Sequence, residues 1–230
     1  LQYRPNPYAS SLRRKKSNTI AIVIPEVADS YFSLAINGIE AVARDKDYHV
    51  IVYLTHESAE REASILHDLG SGRVDGVLIS MSNETHNFEP LQALVSRNIP
   101  LIFFDRISDE VKTATVSTND YESGFLATSH LIEQGCKKIA YLSVSKALST
   151  FNKRLQGYDD AIAQLMPSAD KLLVQCDNDL ETSKQIIASY LSSGDRPDGI
   201  IASVEKLATP VYEVCQELGL NIPADIKIVC

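Results

Sequence analysis

Short apolar runs recur along this chain and alternate with stretches of helical periodicity. The runs are five to seven residues long and rich in Val, Ile, Leu and Phe. Near-continuous apolar runs of this length are typical of strands buried on both faces of a parallel sheet. We therefore predict nine strands, at residues 20–25, 48–54, 74–80, 101–105, 114–118, 138–144, 171–176, 198–203 and 226–230.

The segments between these runs place apolar residues three or four positions apart, which is the spacing of one face of a helix. The apolar faces are Phe32, Ile36, Ile39 and Ala43; Leu155, Tyr158, Ile162 and Leu165; and Leu207, Val211, Val214 and Leu218. Repeated strand–helix–strand units form parallel sheets with helices on both faces. The sequence therefore predicts an α/β fold.

Residues 105–120 interrupt the alternation, because two strand ends meet there with no helix between them. We interpret this segment as a crossover between two Rossmann-like subdomains, each with a parallel sheet covered by helices. The predicted organisation is a linker at 1–19, a first subdomain at 20–118 and a second at 119–230. Since 226–230 has a strand pattern with nothing after it, we expect the second subdomain to be incomplete.

Charge is distributed unevenly along the 230 residues, whose formal net charge is −8. The first 19 residues contain no acid and five basic residues, namely Arg4, Arg13, Arg14, Lys15 and Lys16. The remainder of the chain is therefore strongly acidic. If the protein contacts a polyanion such as DNA, we expect the basic leader to make that contact.

Motifs for catalysis, metal or cofactor binding are missing from the sequence. The five histidines form no HxxxH pair, the four cysteines form no CxxC pair, and no GxSxG or Walker lysine is present. The segment GSGRVDG at 70–76 precedes a strand instead of joining a strand to a helix, so it predicts a helix-ending turn and not a phosphate loop. We expect no enzyme activity, no metal and no cofactor.

The cysteine pattern and the hydropathy indicate a cytoplasmic protein. Widely spaced cysteines without a disulfide or zinc pattern fit a reducing compartment. No apolar run approaches the ~20 residues that span a bilayer, and the first 16 residues carry no apolar core of a signal peptide. We therefore expect no membrane contact.

Polar residues follow several of the predicted strands, at the edge where open α/β sheets bind ligands. Asp105 and Arg106 end the fourth run, Thr150 to Arg154 open a helix, Asn178 follows the seventh run, and Glu205 follows the eighth. Each alone is more typical of a helix cap or a solvated loop. Together they predict a binding site for a small polar ligand that carries hydroxyls or a charge.

The leader has the features of a short helix that folds on a partner. Pro7 suits a first helical turn, and Tyr8 and Leu12 lie four positions apart on one face. A helix so short is unstable alone in water. Phosphates could neutralise Arg13 to Lys16, and a leucine on a basic helix has the chemistry of a minor-groove wedge. A solvated tail with a chance basic cluster is the alternative.

The leader and the body together resemble one family, the LacI-type bacterial transcription regulators. The matching segments cover essentially the whole chain in the family's order. They are YRPNPYASSL, NTIAIVIP, DSYF, RVDGVLI, NIPLIFFDR, the block from YESGFLATSHLIEQGCKKIAYL, RLQGYDDAI and ELGLNIPADIKIV.

The resemblance implies a two-lobed sensor like the type I periplasmic binding proteins, and a homodimer that reads operator DNA. It implies an amino-terminal DNA-binding headpiece, which this sequence lacks. In the paired hinge helices, Leu12 matches an intercalating leucine, and Tyr8, Ala9 and Arg13 are expected to contact DNA. Ser10 departs from an arginine that is common in the family.

The resemblance also implies roles in binding a small effector, such as a sugar or a related metabolite. Phe32 matches an aromatic that packs on the effector, and the polar contacts match Asp105, Arg106, Thr150 and Arg154. Two positions depart from the family pattern. Asn178 stands where an aromatic is frequent, and Val204-Glu205 replaces an Asn-Asp pair whose acid binds ligand hydroxyls.

The sequence therefore indicates a ligand-responsive repressor in which the effector changes the angle between the lobes and the folding of the hinge. Linkage would make this coupling reciprocal. Three alternatives remain open at this point: an extracytoplasmic sugar-binding protein of the same fold, an enzyme on an α/β scaffold, and a dimeric scaffold whose pocket binds nothing.

Overall fold

In the computed structural model, nine strands and seven helices alternate along the described part of the chain. The structure describes residues 16–28, 30–144, 149–177 and 179–230, and the side chains of 149–151 are not described. These residues form two compact units that divide between Ser117 and Thr118. Each unit is an α/β unit with a wholly parallel sheet, as the sequence predicts.

The first unit contains five strands and three helices among its described residues. Its strands are β1 (Thr19–Ile24), β2 (His49–Leu54), β3 (Gly76–Ile79), β4 (Leu101–Phe104) and β5 (Ala114–Val116). Its helices are α1 (Ser30–Asp45), α2 (Ala59–Leu69) and α3 (Glu89–Ser96). The strands pair in the order β2-β1-β3-β4-β5, and every pair is parallel.

The second unit contains four strands and four helices in the ranges that the structure describes. Its strands are β6 (Ile139–Ser143), β7 (Leu172–Gln175), β8 (Gly199–Ala202) and β9 (Lys227–Val229). Its helices are α4 (Asp120–Glu133), α5 (Ser149–Leu165), α6 (Leu180–Leu191) and α7 (Glu205–Glu217). The strands pair in the order β7-β6-β8-β9, again all parallel.

The central strands β1 and β6 bury side chains on both faces, and successive side chains of a strand point to opposite faces of the sheet. In β1, Ala21 and Val23 pack into the core on one face, while Ile22 and Ile24 pack with Phe32 on the other. β6 divides its side chains in the same way, with Leu142 on one face and Tyr141 on the other. The apolar runs therefore mark these central strands correctly.

The edge strands differ from the expectation that every apolar run is buried on both faces. All three residues of β5 are exposed, and β2 exposes Ile51 and Val52. An edge strand has one neighbouring strand instead of two and lies at the margin of the helix layers, so its side chains are more exposed to solvent. The run of apolar residues predicts the strand but not its place in the sheet.

The predicted apolar helix faces are largely confirmed, including Phe32 and Ala43 of the first face, and only the last residues of the other two faces are exposed. Tyr158, Ile162, Leu207 and Val211 are buried. Leu165 is 48% exposed and Leu218 is 40% exposed. These two residues lie at the ends of their helices, where the chain leaves the sheet. No helix in the described ranges is long and apolar enough to cross a membrane.

Glycines lie at or just beyond the ends of three helices, and the first of them confirms the helix-ending turn predicted at 70–76. Gly70 is the C-cap of α2, so GSGRVDG is a helix-ending turn that leads into β3. Gly135 and Gly219 follow α4 and α7 with φ of 86° and 67°. This left-handed conformation is readily available to glycine because it has no Cβ.

Candidate functional site

The strand order places a switch point in each sheet, and a switch point is where open α/β sheets bind ligands. In the first sheet, β1 lies between β2 and β3, so the chain leaves β1 and β3 towards opposite sides. In the second sheet, β6 lies between β7 and β8 in the same way. The residues after the carboxyl ends of these strands are therefore the candidates for a ligand-binding site in each sheet.

Phe32 is the aromatic residue of the candidate site at the carboxyl end of the first sheet. It lies in the first turn of α1, directly after the β1 loop, and is 3% exposed. Its ring meets that of Phe104 edge to face, with centroids 6.3 Å apart. The Cζ atom of Arg106 lies 6.0 Å from the Phe32 ring centroid, within the range of a cation–π contact. The Phe32 ring therefore contacts both the Phe104 ring and the Arg106 guanidinium.

Asp105 and Arg106 directly follow β4. Asp105 has a φ of 59°, the left-handed region that is uncommon for a residue with a side chain. The Ser80 hydroxyl, just after β3, donates to Asp105 Oδ2 at 3.3 Å. Arg106 Nη1 donates to the carbonyl of Met81 at 3.2 Å. These hydrogen bonds connect the loop after β3 with the loop after β4, at the carboxyl end of the first sheet.

Glu57, in the loop after β2, is the partner of Arg106. Arg106 Nη1 donates to Glu57 Oε1 at 2.8 Å and to Oε2 at 3.0 Å. The Asn83 backbone N–H donates to Glu57 Oε2 at 2.8 Å, and the Ser82 hydroxyl donates to the Glu57 carbonyl. Phe32, Glu57 and Asp105 therefore surround Arg106 at the carboxyl end of the first sheet.

A second glutamate supports the loop after β3. Glu62 in α2 is 2% exposed; its Oε2 accepts from the Ser82 N–H at 2.8 Å and its Oε1 from the Thr85 hydroxyl at 2.7 Å. Burial raises the pKa of Glu62 above its usual value, because a carboxylate loses solvation in the interior. The two hydrogen bonds lower that pKa and so reduce the rise.

In the second unit, Arg154 of α5 connects the start of α4 with the segment after β8. Its Nε donates to Asp120 Oδ1 at 2.8 Å, and its Nη1 donates to the Ser203 carbonyl, after β8, at 2.9 Å. Asp120 is 2% exposed, at the start of α4. Glu205 begins α7 two residues after Ser203, with Val204 as the N-cap.

Two glycines set the distance between α4 and α5, and so the position of Arg154. A Cβ on Gly124 would lie 2.0 Å from the carbonyl oxygen of Arg154. A Cβ on Gly157 would lie 2.2 Å from the carbonyl oxygen of Tyr121. No side chain fits at either position, so the two helix backbones touch and Arg154 is held beside Asp120.

The predicted effector residues fall into three groups. Phe32, Asp105 and Arg106 come together in the first unit. Arg154 contacts the segment that leads to Glu205 in the second unit. The remaining predicted residues lie outside the described residues or side chains: Thr150, whose backbone belongs to α5, Asn178, Tyr8, Ala9, Leu12 and Arg13.

Sequence reasoning missed Glu57 and Asp120, although both are ion-pair partners of predicted residues. Glu57 follows the β2 run as Asp105 follows the β4 run, so the rule about strand ends would have found it. Asp120 is different, because an acid in the first turn of a helix is ordinarily a solvated residue that favours the helix dipole. Its burial against Arg154 leaves no signal in the local sequence.

The chemistry of these residues suits ligand binding. Carboxylates, guanidinium groups and an aromatic wall are the groups that hold polyhydroxylated ligands in concave sites.

Within the described ranges, no group of three or more His, Cys, Asp or Glu side chains is placed to hold a metal ion. Cys136, Cys176 and Cys215 are buried, and burial raises the pKa of Cys176 to about 11, which disfavours a reactive thiolate.

Comparison with known proteins identifies relatives over nearly the whole chain. A family model described as periplasmic binding proteins and sugar binding domain of LacI family matches residues 17–230. The ribose operon repressor of Halalkalibacterium halodurans is 29% identical over 229 residues, covering 100% of this chain and 67% of the repressor. Catabolite control protein A of Priestia megaterium is 26% identical over 231 residues, covering 100% of this chain and 69% of that protein.

Solved structures agree with this similarity. A LacI family transcriptional regulator from Enterococcus faecium, crystallised with bound ribose, superimposes with a TM-score of 0.78 at 25% identity. The match covers 91% of this chain and 76% of that chain. The two-unit α/β architecture is therefore the architecture of these regulators.

Proposed function

The chain belongs to the family of periplasmic binding proteins and LacI-type sugar-binding domains, and from this premise we propose that it is the effector sensor of a transcription repressor. The ribose operon repressor and catabolite control protein A, which match the whole chain, are regulators and not enzymes by name. Their similarity supports the repressor over an extracytoplasmic sugar-binding protein of the same fold. The proposed location is the cytoplasm, where operator DNA is found.

The proposal depends above all on the polar residues that follow the carboxyl ends of the strands in each sheet. Phe32, Asp105 and Arg106 meet at the edge of the first sheet, and Arg154 bridges Asp120 and Ser203 at the switch point of the second. Both edges lie at the carboxyl ends of parallel strands, the usual binding position of open sheets. We propose a small effector with several hydroxyl groups, and a sugar such as ribose is the first candidate because a relative's crystal structure holds it.

The proposed output is operator DNA binding through the basic leader. Tyr8, Ala9, Leu12 and Arg13 would form the hinge that contacts DNA, and effector binding would change the folding of that hinge. Residues 16–18 connect the leader to β1, and Asp75 accepts hydrogen bonds from the backbone N–H groups of Ser17 and Asn18. A linker fixed to the core supports transmission between the sensor and the hinge.

A homodimer is the proposed assembly, and exposed apolar side chains on the first unit support it. Leu34 and Val42 of α1 are 72% and 59% exposed. Exposed apolar side chains on one element are a feature of protein interaction surfaces. Sedimentation velocity should give the mass of a dimer for the wild type and of a monomer for Leu34→Glu.

A thermal-shift titration with sugars, sugar phosphates and nucleosides tests the sensor. A ligand present at about 100 times its dissociation constant stabilises a protein by about 2.7 kcal/mol. We expect a polyhydroxylated ligand to raise the melting temperature, and Arg154→Gln to abolish the shift. Arg44→Gln is the matched control, because Arg44 makes an exposed ion pair with Glu40 on α1.

Three outcomes would contradict the proposal. An Arg154→Gln variant that binds as tightly as the wild type would exclude Arg154 from effector binding. A ligand that is recovered chemically altered would indicate an enzyme instead of a sensor, so the bound compound should be recovered and identified by mass spectrometry. A panel without any hit would favour a scaffold whose pocket binds nothing.

A further inference from the structure

The ion pair between Glu57 and Arg106 restricts which ligands the first sheet can accept. The two residues are 49 positions apart in sequence, and their side chains are 28% and 14% exposed. Arg106 Nη1 contacts both carboxylate oxygens, at 2.8 and 3.0 Å. A guanidinium held in this way is fixed in orientation, and its charge is largely balanced by its partner.

Glu57 is itself held in place by the backbone around it. His56 and Glu57 both have positive φ, at 51° and 61°, which is uncommon for residues with side chains. Asn83 donates its N–H to the Glu57 carboxylate, and Ser82 donates its hydroxyl to the Glu57 carbonyl. Strained backbone persists where surrounding contacts enforce it, and it concentrates at functional sites. The strain here fixes a carboxylate against Arg106.

The charges around Arg106 would repel an anionic ligand. Asp105 Oδ2 lies 3.9 Å from Arg106 Nε, so this cation is close to two carboxylates. A phosphate ester would have to displace one of them or approach both. A ligand hydroxyl has no such conflict, because it can accept from a guanidinium N–H and donate to a carboxylate. In the second unit, Asp120 balances Arg154 in the same manner.

We propose that Glu57 is a positioning residue that determines specificity: it orients Arg106 and cancels its charge, so that the first sheet accepts an uncharged, hydroxyl-bearing effector and rejects the phosphorylated form of the same compound. This inference rests on the proposed sensor function and adds the charge class of the effector. It also assigns a role to a residue that acts through its contact with Arg106.

The first test uses inorganic phosphate and needs no knowledge of the effector. The wild type and Glu57→Gln are titrated with phosphate while the Arg106 Nε–Hε signal is followed by ¹⁵N NMR and assigned by its loss in Arg106→Gln. The Gln oxygen can keep the Oε2 position, which accepts from both Asn83 and Arg106. We expect phosphate to bind the variant at least about tenfold more tightly, because a neighbouring negative charge is removed.

Glu60→Gln is the matched control, since it removes the same charge from an exposed position in the first turn of α2. It should leave the Arg106 signal and its response to phosphate as in the wild type. Equal phosphate binding by the wild type and Glu57→Gln would overturn the inference. Glu57→Asp keeps the charge but withdraws it by one methylene, so it should fall between the two and serves if Glu57→Gln does not fold.

The second test compares ribose with ribose 5-phosphate by calorimetry. The wild type should prefer the sugar, and Glu57→Gln should shift the affinity ratio at least about tenfold towards the phosphate ester. A purely structural role would weaken both ligands and leave the ratio unchanged. A wild type that prefers the ester would overturn the inference while the sensor function stands. If neither compound binds, ribose is excluded as the effector, and the phosphate titration alone decides the role of Glu57.

Discussion

Arg154 and Asp120 are joined by a hydrogen bond of 2.8 Å between Nε and Oδ1, although 34 positions separate them in sequence. Asp120 is 2% exposed, so its carboxylate depends on this partner to offset much of its lost solvation. The bond ties the start of α4 to the first half of α5, and Arg154 also donates to the Ser203 carbonyl after β8. One ion pair thus organises three elements around the second sheet's switch point.

Asp120→Asn should lower the free energy of unfolding by about 1–3 kcal/mol, because the amide keeps the shape but leaves the guanidinium without its counter-charge. Urea denaturation measures the change. Glu40→Gln removes one partner of an exposed ion pair and should cost no more than about 0.5 kcal/mol. Equal effects of the two substitutions would show that the buried position of Asp120 is unimportant.

Gly124→Ala should destabilise the second unit by at least about 2 kcal/mol, because overpacked contacts force backbones apart. The added Cβ would meet the Arg154 carbonyl oxygen at 2.0 Å. Gly38→Ala in the middle of α1 is the control, since a Cβ there meets no atom within 4 Å among the described residues. The control should stabilise by about 0.5–1 kcal/mol through helix propensity. Thermal unfolding of both variants measures the contrast, and a stable Gly124→Ala would contradict the close helix contact.

The buried Glu62 should make stability depend on pH. Its pKa is raised in the folded state, so its favourable contribution to the free energy of unfolding is complete below the usual value of 4.5 and is lost as the pH rises through the raised pKa. The side chain of Glu62→Gln remains neutral throughout. The variant should therefore gain stability relative to the wild type as the pH rises above the usual glutamate pKa.

Urea denaturation at several pH values follows the difference between the wild type and Glu62→Gln. Glu60→Gln serves as the control, because it removes an exposed carboxylate from the first turn of the same helix. A difference between Glu62→Gln and the wild type that stays constant with pH, or that changes in the opposite direction, would contradict the raised pKa of Glu62.

Asp75 should hold the linker against the first unit. Its carboxylate accepts from the Ser17 N–H at 2.6 Å, from the Ser17 hydroxyl at 2.8 Å and from the Asn18 N–H at 2.9 Å. Asp75→Ala removes all three bonds, so hydrogen exchange at Ser17 and Asn18 should become faster while exchange in β3 changes little. Exchange followed by NMR measures this, with Asp68→Ala at an exposed position of α2 as the control. Unchanged protection of Ser17 would show that other contacts hold the linker.

Much of the fold could be predicted from local patterns. Each of the nine apolar runs overlaps a strand, and no helix lies between β4 and β5, where the first sheet ends. These features are local, because a strand buried in a parallel sheet needs apolar side chains on both faces whatever its neighbours are. The polar residues after β4 and β8 were found for a related reason, since the carboxyl ends of parallel strands share one edge.

The α/β class, the strands and several residues of the candidate site thus follow from the amino-acid sequence. The pairing of Glu57 with Arg106, the burial of Asp120 beside Arg154 and the edge positions of β2 and β5 follow only from the folded chain. The difference arises because periodicity reports the average surroundings of a residue, whereas an ion pair depends on which distant segments the chain brings together. Strand-end position can identify Glu57 as a candidate, but the pairing of residues 49 or 34 positions apart leaves no trace in the sequence around either partner.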